Sequence, residues 1–258
     1  MSARTPVLVE RDGAVATVRL DAPPLNPIDT ELREALAGAV ADIAADPTVR
    51  AVVLAGGERA FAAGADITGL AAMSYPEILE WNARLQRVFT SVAELPQPVV
   101  AALRGYALGG GLELALCADY RIAAENAVVG LPEVQLGIMP GSGGTQRLTE
   151  IVGRSRAKEL MMTGRRVDAG EALELGIVDE VLPAEEVHDR ATGYARRLAR
   201  GPRLAIRAIK QAVDEAAGVT STGLALERTL LAGLFATEDR AHGMRSFLEH
   251  GPGHAEFG

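Results

Sequence analysis

The stretch that most constrains this fold runs from residue 105 to residue 113 and reads Gly105-Tyr106-Ala107-Leu108-Gly109-Gly110-Gly111-Leu112-Glu113. It follows an apolar segment at 98–103 that is typical of a buried strand, and it leads into a short apolar helix predicted over 112–118. Glycine at such a junction permits positive φ and leaves backbone N–H groups uncovered, while a helix N-terminus adds partial positive charge. The stretch therefore predicts a strand-to-helix turn whose backbone can receive an anion.

Two further segments have the same character, because each combines glycines with small residues and leads toward a helix. They read Phe61-Ala62-Ala63-Gly64-Ala65-Asp66 and Gly141-Ser142-Gly143-Gly144-Thr145-Gln146-Arg147. A nucleotide phosphate loop is excluded, since the only lysines in the chain are Lys158 and Lys210 and neither lies in these segments. The glycine spacing of a dinucleotide-binding turn is not matched either. Tight turns and close packing remain the alternative explanation for any one segment alone.

Two carboxylates accompany these segments. Glu113 lies in the first turn of the predicted helix, and Glu133 lies in the proline-containing turn at 130–134. An acid at a helix start is also typical of a dipole-favoured cap, and an acid in a loop is typical of solvent exposure. Two carboxylates beside rigid, donor-rich backbone are nevertheless what proton transfer next to a developing oxyanion requires. Glu113 and Glu133 are therefore candidate catalytic residues.

The rest of the 258-residue chain predicts an α/β body followed by helices. A hairpin is expected over 7–20, a helix begins at Asp29, and strands alternate with helices up to about Leu182. Helical periods then occupy 185–200, 202–216 and 222–235, and one more helix starts near residue 237. We expect a body over residues 1–199 and a helical C-terminal oligomerisation region over residues 200–258.

Composition restricts the class of protein further. The chain is 48% hydrophobic and 23% charged, with a net charge of −8, which argues against a protein that coats nucleic acid. A single cysteine, Cys117, excludes an internal disulfide framework, and no metal site is expected. The apolar runs are shorter than a membrane span needs, and no export signal is evident at the N-terminus. A cytoplasmic enzyme that acts apart from membranes is the expectation.

Four ordered stretches of the sequence are similar to those of the enoyl-CoA hydratase/isomerase family, the crotonase superfamily. They are 60–67, 105–115, 131–141 and 143–148, and the tail segment 235–240 also matches. The resemblance covers essentially the whole chain. It implies an α/β fold built as a crotonase-like spiral of ββα units, with a helical C-terminal trimerisation region. It also implies assembly as a homotrimer or homohexamer.

The resemblance assigns roles to particular residues of this chain. The backbone N–H groups of Ala65 and Gly110 would form an oxyanion hole for a thioester carbonyl, and Glu113 and Glu133 match the two acids of family hydratases. Gly141 would orient the water. The residues that would contact the acyl-CoA substrate are Ala63, Ala65, Asp66, Ile67, Thr68, Gly110, Pro132 and Gly141. Coenzyme A would arrive as part of the substrate, so no separate cofactor is expected.

The presence of both acids favours a hydratase that adds water across the 2,3 double bond of a 2-enoyl-CoA thioester, in fatty acid or amino acid breakdown. Family isomerases commonly work with one acid. A double-bond isomerase or another acyl-CoA lyase remains the alternative within the family, since one scaffold supports several reactions. A non-catalytic member that binds RNA or a protein partner is a further alternative, against which the acidic charge and the two intact acids argue.

Overall fold

Two sheets of unequal size organise the computed structural model, which describes residues 5–216, 221–250 and 255–257. The strands are β1 (Val7–Asp12), β2 (Val15–Leu20), β3 (Ala51–Ala55), β4 (Ala60–Ala62), β5 (Val99–Leu103), β6 (Tyr106–Leu108), β7 (Tyr120–Ala124), β8 (Val128–Gly130), β9 (Val167–Asp168) and β10 (Glu180–Leu182). The larger sheet has the order β1-β2-β3-β5-β7-β10, and the smaller has the order β4-β6-β8-β9.

The helices connect and cover these sheets. They are α1 (Thr30–Ala45), α2 (Ile67–Ala71), α3 (Tyr75–Ala93), α4 (Gly110–Ala115), α5 (Gly144–Val152), α6 (Arg154–Thr163), α7 (Ala169–Glu174), α8 (Val187–Ala199), α9 (Arg203–Asp214), α10 (Ser221–Leu234) and α11 (Glu238–His250), with a 3₁₀ turn at Glu133–Leu136. Strands β3, β5 and β7 are parallel neighbours in the larger sheet, and β4, β6 and β8 are parallel neighbours in the smaller one. Each turn of the chain thus adds one strand to each sheet, which confirms the spiral of ββα units.

Several predicted elements are confirmed close to their expected bounds. The hairpin β1–β2 pairs antiparallel from Val7 opposite Leu20 to Asp12 opposite Val15. Helix α1 begins after Asp29, whose carboxylate accepts the Leu32 N–H at 2.8 Å. The short strands β4 and β6 were not predicted, and α4 begins at residue 110 rather than at 112.

Alternating side chains of the larger sheet pack into two layers. In β3, Val52 and Leu54 join the main core, whereas Ala51, Val53 and Ala55 face a second core cluster. That second cluster is closed by α8, whose buried residues Val187, Ala191, Ala195 and Ala199 recur every fourth position. Helix α8 therefore packs on the body of the fold.

Asn26 anchors the strand that leads into the site. It has a φ of 49°, in the left-handed region that asparagine tolerates better than most residues. Its side chain accepts the Ala22 N–H at 2.7 Å and donates to the carbonyls of Ala60 at 3.2 Å and Phe61 at 2.9 Å. Its buried amide thereby fixes β4 in place.

The C-terminal helices leave apolar side chains in solvent. Exposed residues on α9, α10 and α11 include Leu204, Ile209, Val213, Leu224, Leu231, Met244 and Leu248. Helix α9 is tied to the body by Lys210, whose ammonium lies 2.9 Å from the Asp119 carboxylate. The boundary between residues 199 and 200 stays a prediction, and part of the 200–258 region lies outside the described residues. Within the described ranges no helix is both long and apolar enough to cross a membrane.

Candidate active site

A cavity of about 470 Å³ lies where α3, α4 and the 3₁₀ turn meet the loops that follow β4 and precede α5. Its lining includes Ala63, Gly64, Ala65, Ile67, Leu70, Tyr75, Ile78, Leu79, Trp81, Asn82, Leu85, Gly109, Gly110, Glu113, Pro132, Glu133, Leu136, Ile138, Met139, Gly141 and Ser142. Its polar side chains include Glu113, Glu133, Asn82 and Ser142, and most of the remaining side chains are apolar. A cavity of this size suits a small-molecule ligand with an apolar portion.

The three consecutive glycines let two chain segments approach closely. Gly109 has a φ of 53°, which favours glycine, and α4 starts at the next residue. A β-carbon on Gly111 would stand 2.0 Å from the Ala62 carbonyl oxygen, so only glycine fits there. A β-carbon on Gly110 would lie 3.9 Å from the Ala65 nitrogen. The backbone of Gly110 and that of Ala65 are therefore neighbours in the cavity wall.

Glu113 is buried, with 3% of the residue exposed, and its carboxylate is held by backbone donors. Its Oε1 accepts the Ser142 N–H at 2.7 Å and the Gly144 N–H at 2.8 Å. Burial raises the pKa of Glu113, while these two hydrogen bonds and the charge of Arg147 on α5 act in the opposite direction. The two peptide N–H groups therefore stabilise a negative charge on the Glu113 carboxylate.

Glu133 lies in a different environment. It opens the 3₁₀ turn after Pro132, and its Oε1 would be 2.9 Å from a β-carbon on Gly109. Its Oε2 is buried without a hydrogen-bond partner among the described residues. Burial raises the pKa of Glu133 to about 7, its own N–H opposes the rise, and the charge of Glu113 adds to it. A carboxyl with so little stabilisation of its anion holds a proton near neutral pH.

The two acids can therefore perform opposite tasks. Glu113 is equipped to accept a proton, and Glu133 is equipped to donate one. They border adjacent glycines, since a β-carbon on Gly110 would lie 4.0 Å from Glu113 Oε2 while Glu133 abuts Gly109. Because the charge of Glu113 raises the pKa of Glu133, the titrations of the two acids are coupled.

Most of the residues expected from the sequence line one cavity. Ala63, Ala65, Ile67, Gly110, Glu113, Pro132, Glu133 and Gly141 all contribute to it. Asp66 and Thr68 are not among its lining residues. The Asp66 carboxylate instead caps α2 by accepting the N–H groups of Thr68 and Gly69, both at 3.1 Å. A contact of these two residues with the nucleotide end of a thioester stays a prediction.

Helix α3 forms one wall of the cavity. Its Trp81 both packs on the core and lines the cavity. Tyr75, Ile78 and Leu79 had no assigned role, because their spacing is also that of an ordinary amphipathic helix. Asn82 carried no motif at all, although it faces both the cavity and the loop at Gly141.

The site thus combines two carboxyls in different environments with two neighbouring backbone N–H groups. This combination is typical of enzymes that transfer protons beside a stabilised oxyanion. Comparison with known proteins makes the class specific. Residues 10–256 match the family model described as enoyl-CoA hydratase/isomerase, and the chain belongs to this family.

Relatives and solved structures agree with this assignment. A probable enoyl-CoA hydratase of Rhizobium meliloti is 41% identical over 244 residues, covering 94% of each chain. A crotonyl-CoA hydratase of Syntrophomonas wolfei is 37% identical over 94% of this chain and 95% of its own. The crystal structure of enoyl-CoA hydratase from Bacillus anthracis superposes with a TM-score of 0.91 at 39% identity, covering 95% of this chain and 96% of that one. The fold is thus the crotonase fold.

Proposed function

We propose that this protein is an enoyl-CoA hydratase that reversibly adds water in the syn sense across the 2,3 double bond of 2-enoyl-CoA thioesters. The observation that carries the proposal is the contrast between its two acids. Glu113 is held by two peptide N–H groups, whereas the pKa of Glu133 is raised to about 7 by burial. Such a pair supplies one base and one acid at the same pH.

The thioester carbonyl is activated by the backbone. Attack of water on C3 places enolate charge on the carbonyl oxygen, and the N–H groups of Ala65 and Gly110 receive that charge. Donors fixed before the reaction act on charge that exists only in the transition state, and loss of one costs ~3 kcal/mol. The glycines of this segment let the backbone reach the oxygen without an intervening side chain.

Proton movement follows from the two environments. Glu113 takes a proton from the attacking water, whose oxygen bonds to C3, and Glu133 gives its proton to C2. Water is thereby added across the double bond with no redox change, and the proton left on Glu113 restores Glu133. Gly141 helps to orient the water, and each carboxyl role contributes roughly 10²–10⁴ in rate.

Substrate binding uses the rest of the cavity. The apolar side chains of α3 accommodate the hydrocarbon part of the acyl group, while Ala63, Asp66, Ile67 and Thr68 lie toward the coenzyme A portion. Coenzyme A enters with the substrate, so the reaction needs no separate cofactor. The exposed apolar side chains of α9–α11 support assembly as a homotrimer or homohexamer.

The direct test follows the absorbance of the enoyl-thioester band with crotonyl-CoA. Wild-type protein is expected to hydrate crotonyl-CoA, and Glu113→Gln and Glu133→Gln are expected to lose at least 10²-fold in kcat while remaining folded. The matched control is Glu125→Gln, an exposed acid outside the cavity. Near wild-type turnover in either catalytic variant would contradict the assigned roles. Binding of crotonyl-CoA without hydration would favour an isomerase or another lyase.

A further inference from the structure

One peptide plane links helix α3 to the carboxylate of Glu113. The Gly141 carbonyl oxygen accepts the Asn82 Nδ2 at 2.9 Å and the Gln86 Nε2 at 2.6 Å. The N–H of the same peptide unit belongs to Ser142 and donates to Glu113 Oε1 at 2.7 Å. A peptide bond is planar and trans, so fixing its oxygen also fixes the direction of its N–H.

Asn82 makes the stronger structural connection of the two amides. Besides donating to Gly141, its Oδ1 lies 3.3 Å from the Ser142 hydroxyl, which donates to it. Asn82 thus forms hydrogen bonds with two consecutive residues of the loop. It is half-buried in the cavity wall, whereas Gln86 is exposed. A β-carbon on Gly141 would stand 3.0 Å from Asn82 Oδ1, so the glycine is what allows this close approach.

We propose that Asn82, assisted by Gln86, is a positioning residue that orients and polarises the Gly141–Ser142 peptide. The Ser142 N–H then keeps the Glu113 side chain ionised and fixes its orientation. Two donors on a carbonyl oxygen strengthen donation by the N–H at the other end of the same amide. A stronger donor stabilises the ionised form of the base and opposes the effect of burial. The kinetic consequence rests on the proposed hydratase function, but the effect on Glu113 does not.

The charges of Arg147 and Glu133 also lie near Glu113, but neither group replaces this contact. Arg147 on α5 lowers the pKa of Glu113, and the charge of Glu113 raises the pKa of Glu133. Just beyond the end of α4, the Cys117 thiol donates to the Glu113 backbone carbonyl at 3.3 Å, and burial raises the pKa of this thiol to about 12, so it stays neutral. Loss of the α3 amides would therefore raise the pKa of Glu113 further.

The test compares Asn82→Leu, which keeps the number and branching of the side-chain heavy atoms and removes the amide, with Gln86→Ala and the double variant. We expect Asn82→Leu to lower kcat for crotonyl-CoA about tenfold with KM changed less than twofold, since the lost bonds act on the base. The acidic limb of the pH profile of kcat should move to higher pH in Asn82→Leu, because the pKa of Glu113 rises. The double variant should lose more than the product of the single losses, because the remaining amide compensates in each single variant.

The controls separate positioning from packing. Ser91→Ala lies on the same helix and removes only a hydroxyl bonded to the Val88 carbonyl, so it should leave kcat unchanged. Gln86 is exposed, so Gln86→Ala keeps the test available where the Asn82 variant fails to fold. An unchanged acidic limb in Asn82→Leu would overturn the proposal. A rise in KM alone would also overturn it, because that result would assign Asn82 to binding of the acyl group.

A second readout does not depend on turnover. Infrared titration of the Glu113 carboxylate, assigned by difference from Glu113→Gln, should show a higher midpoint in Asn82→Leu than in wild type. An unshifted midpoint would overturn the inference. Absence of hydration by wild-type protein would instead refute the proposed function, and the infrared titration would still decide the role of Asn82.

Discussion

Gly110→Ala tests the oxyanion hole with the smallest possible change. The added β-carbon would lie 3.1 Å from Ile28 Cδ1, 3.9 Å from the Ala65 nitrogen and 4.0 Å from Glu113 Oε2. It would therefore lie within 4.0 Å of both a proposed oxyanion donor and the proposed base, close to where the proposed mechanism places the thioester carbonyl. The φ of Gly110 is not in the left-handed region, so alanine is accommodated by the backbone.

The expected magnitudes differ strongly between catalysis and stability. Displacing the carbonyl oxygen from even one of its donors costs about 10²–10³ in kcat. In contrast, the contact with Ile28 requires a shift of a few tenths of an ångström at the end of a flexible side chain, and alanine in α4 recovers up to ~1 kcal/mol of helix propensity. We expect the free energy of unfolding to change by less than about 1 kcal/mol.

The assay measures crotonyl-CoA hydration together with urea unfolding, and Ile28→Val supplies the control. The Gly110→Ala/Ile28→Val double variant removes the Cδ1 atom that the new methyl group meets, so it relieves the steric strain. If the methyl group acts by blocking the carbonyl, the double variant stays inactive. Recovery of turnover in the double variant, or a loss in Gly110→Ala smaller than about fivefold, would refute the reasoning.

Two further predictions concern pH and stability. Because burial raises the pKa of Glu133 to about 7 and the acid must be protonated, kcat/KM for crotonyl-CoA should fall as pH rises through about 7. A flat profile from pH 6 to 9 would contradict this. Asn26→Ala should lower the free energy of unfolding in urea by roughly 2–3 kcal/mol, because it removes the side-chain hydrogen bonds to the buried Ala22 N–H and to the Ala60 and Phe61 carbonyls, of which Ala60 keeps the bond from the Gly57 N–H. Asn26→Gly removes the same hydrogen bonds but accommodates the positive φ, so a stable Asn26→Gly variant would assign the effect of Asn26→Ala to backbone strain instead.

The helices and strands that could be predicted are those whose sequence signals lie within the element itself or at its ends. Helix α1 follows an aspartate cap and repeats apolar residues at helical spacing, and the hairpin β1–β2 has β-branched strands around a glycine turn. Strands β4 and β6 each span three residues, which is too short for an alternating pattern to appear. They form because the longer strands before them fix where the chain enters the smaller sheet.

The candidate site was predictable as a set of residues and only partly as an arrangement. The glycine segments marked Ala65, Gly110 and Glu113, and each of these lies in the cavity. The peptide donors on Glu113 come from residues 29 and 31 positions further along the chain, so no local pattern pairs them with it. The hydrogen bond from Asn82 to the Gly141 carbonyl joins residues 59 positions apart. Asn82 lies on a helix whose sequence pattern is that of an ordinary amphipathic surface helix. Such long-range pairings depend on the tertiary fold.

In the proposed mechanism, the backbone around the two carboxyls, rather than the identity of the acids, decides which of them is the base. Both groups are glutamates, both are removed from water, and burial raises the pKa of each. The difference is that two N–H groups converge on Glu113 Oε1, whereas Glu133 Oε2 finds no partner among the described residues. Hydrogen bonds to a charged form are what favour it in a buried site. In the proposed mechanism, the loop before α5 therefore sets the direction of proton transfer, and helix α3 acts on the base through its hydrogen bonds to that loop.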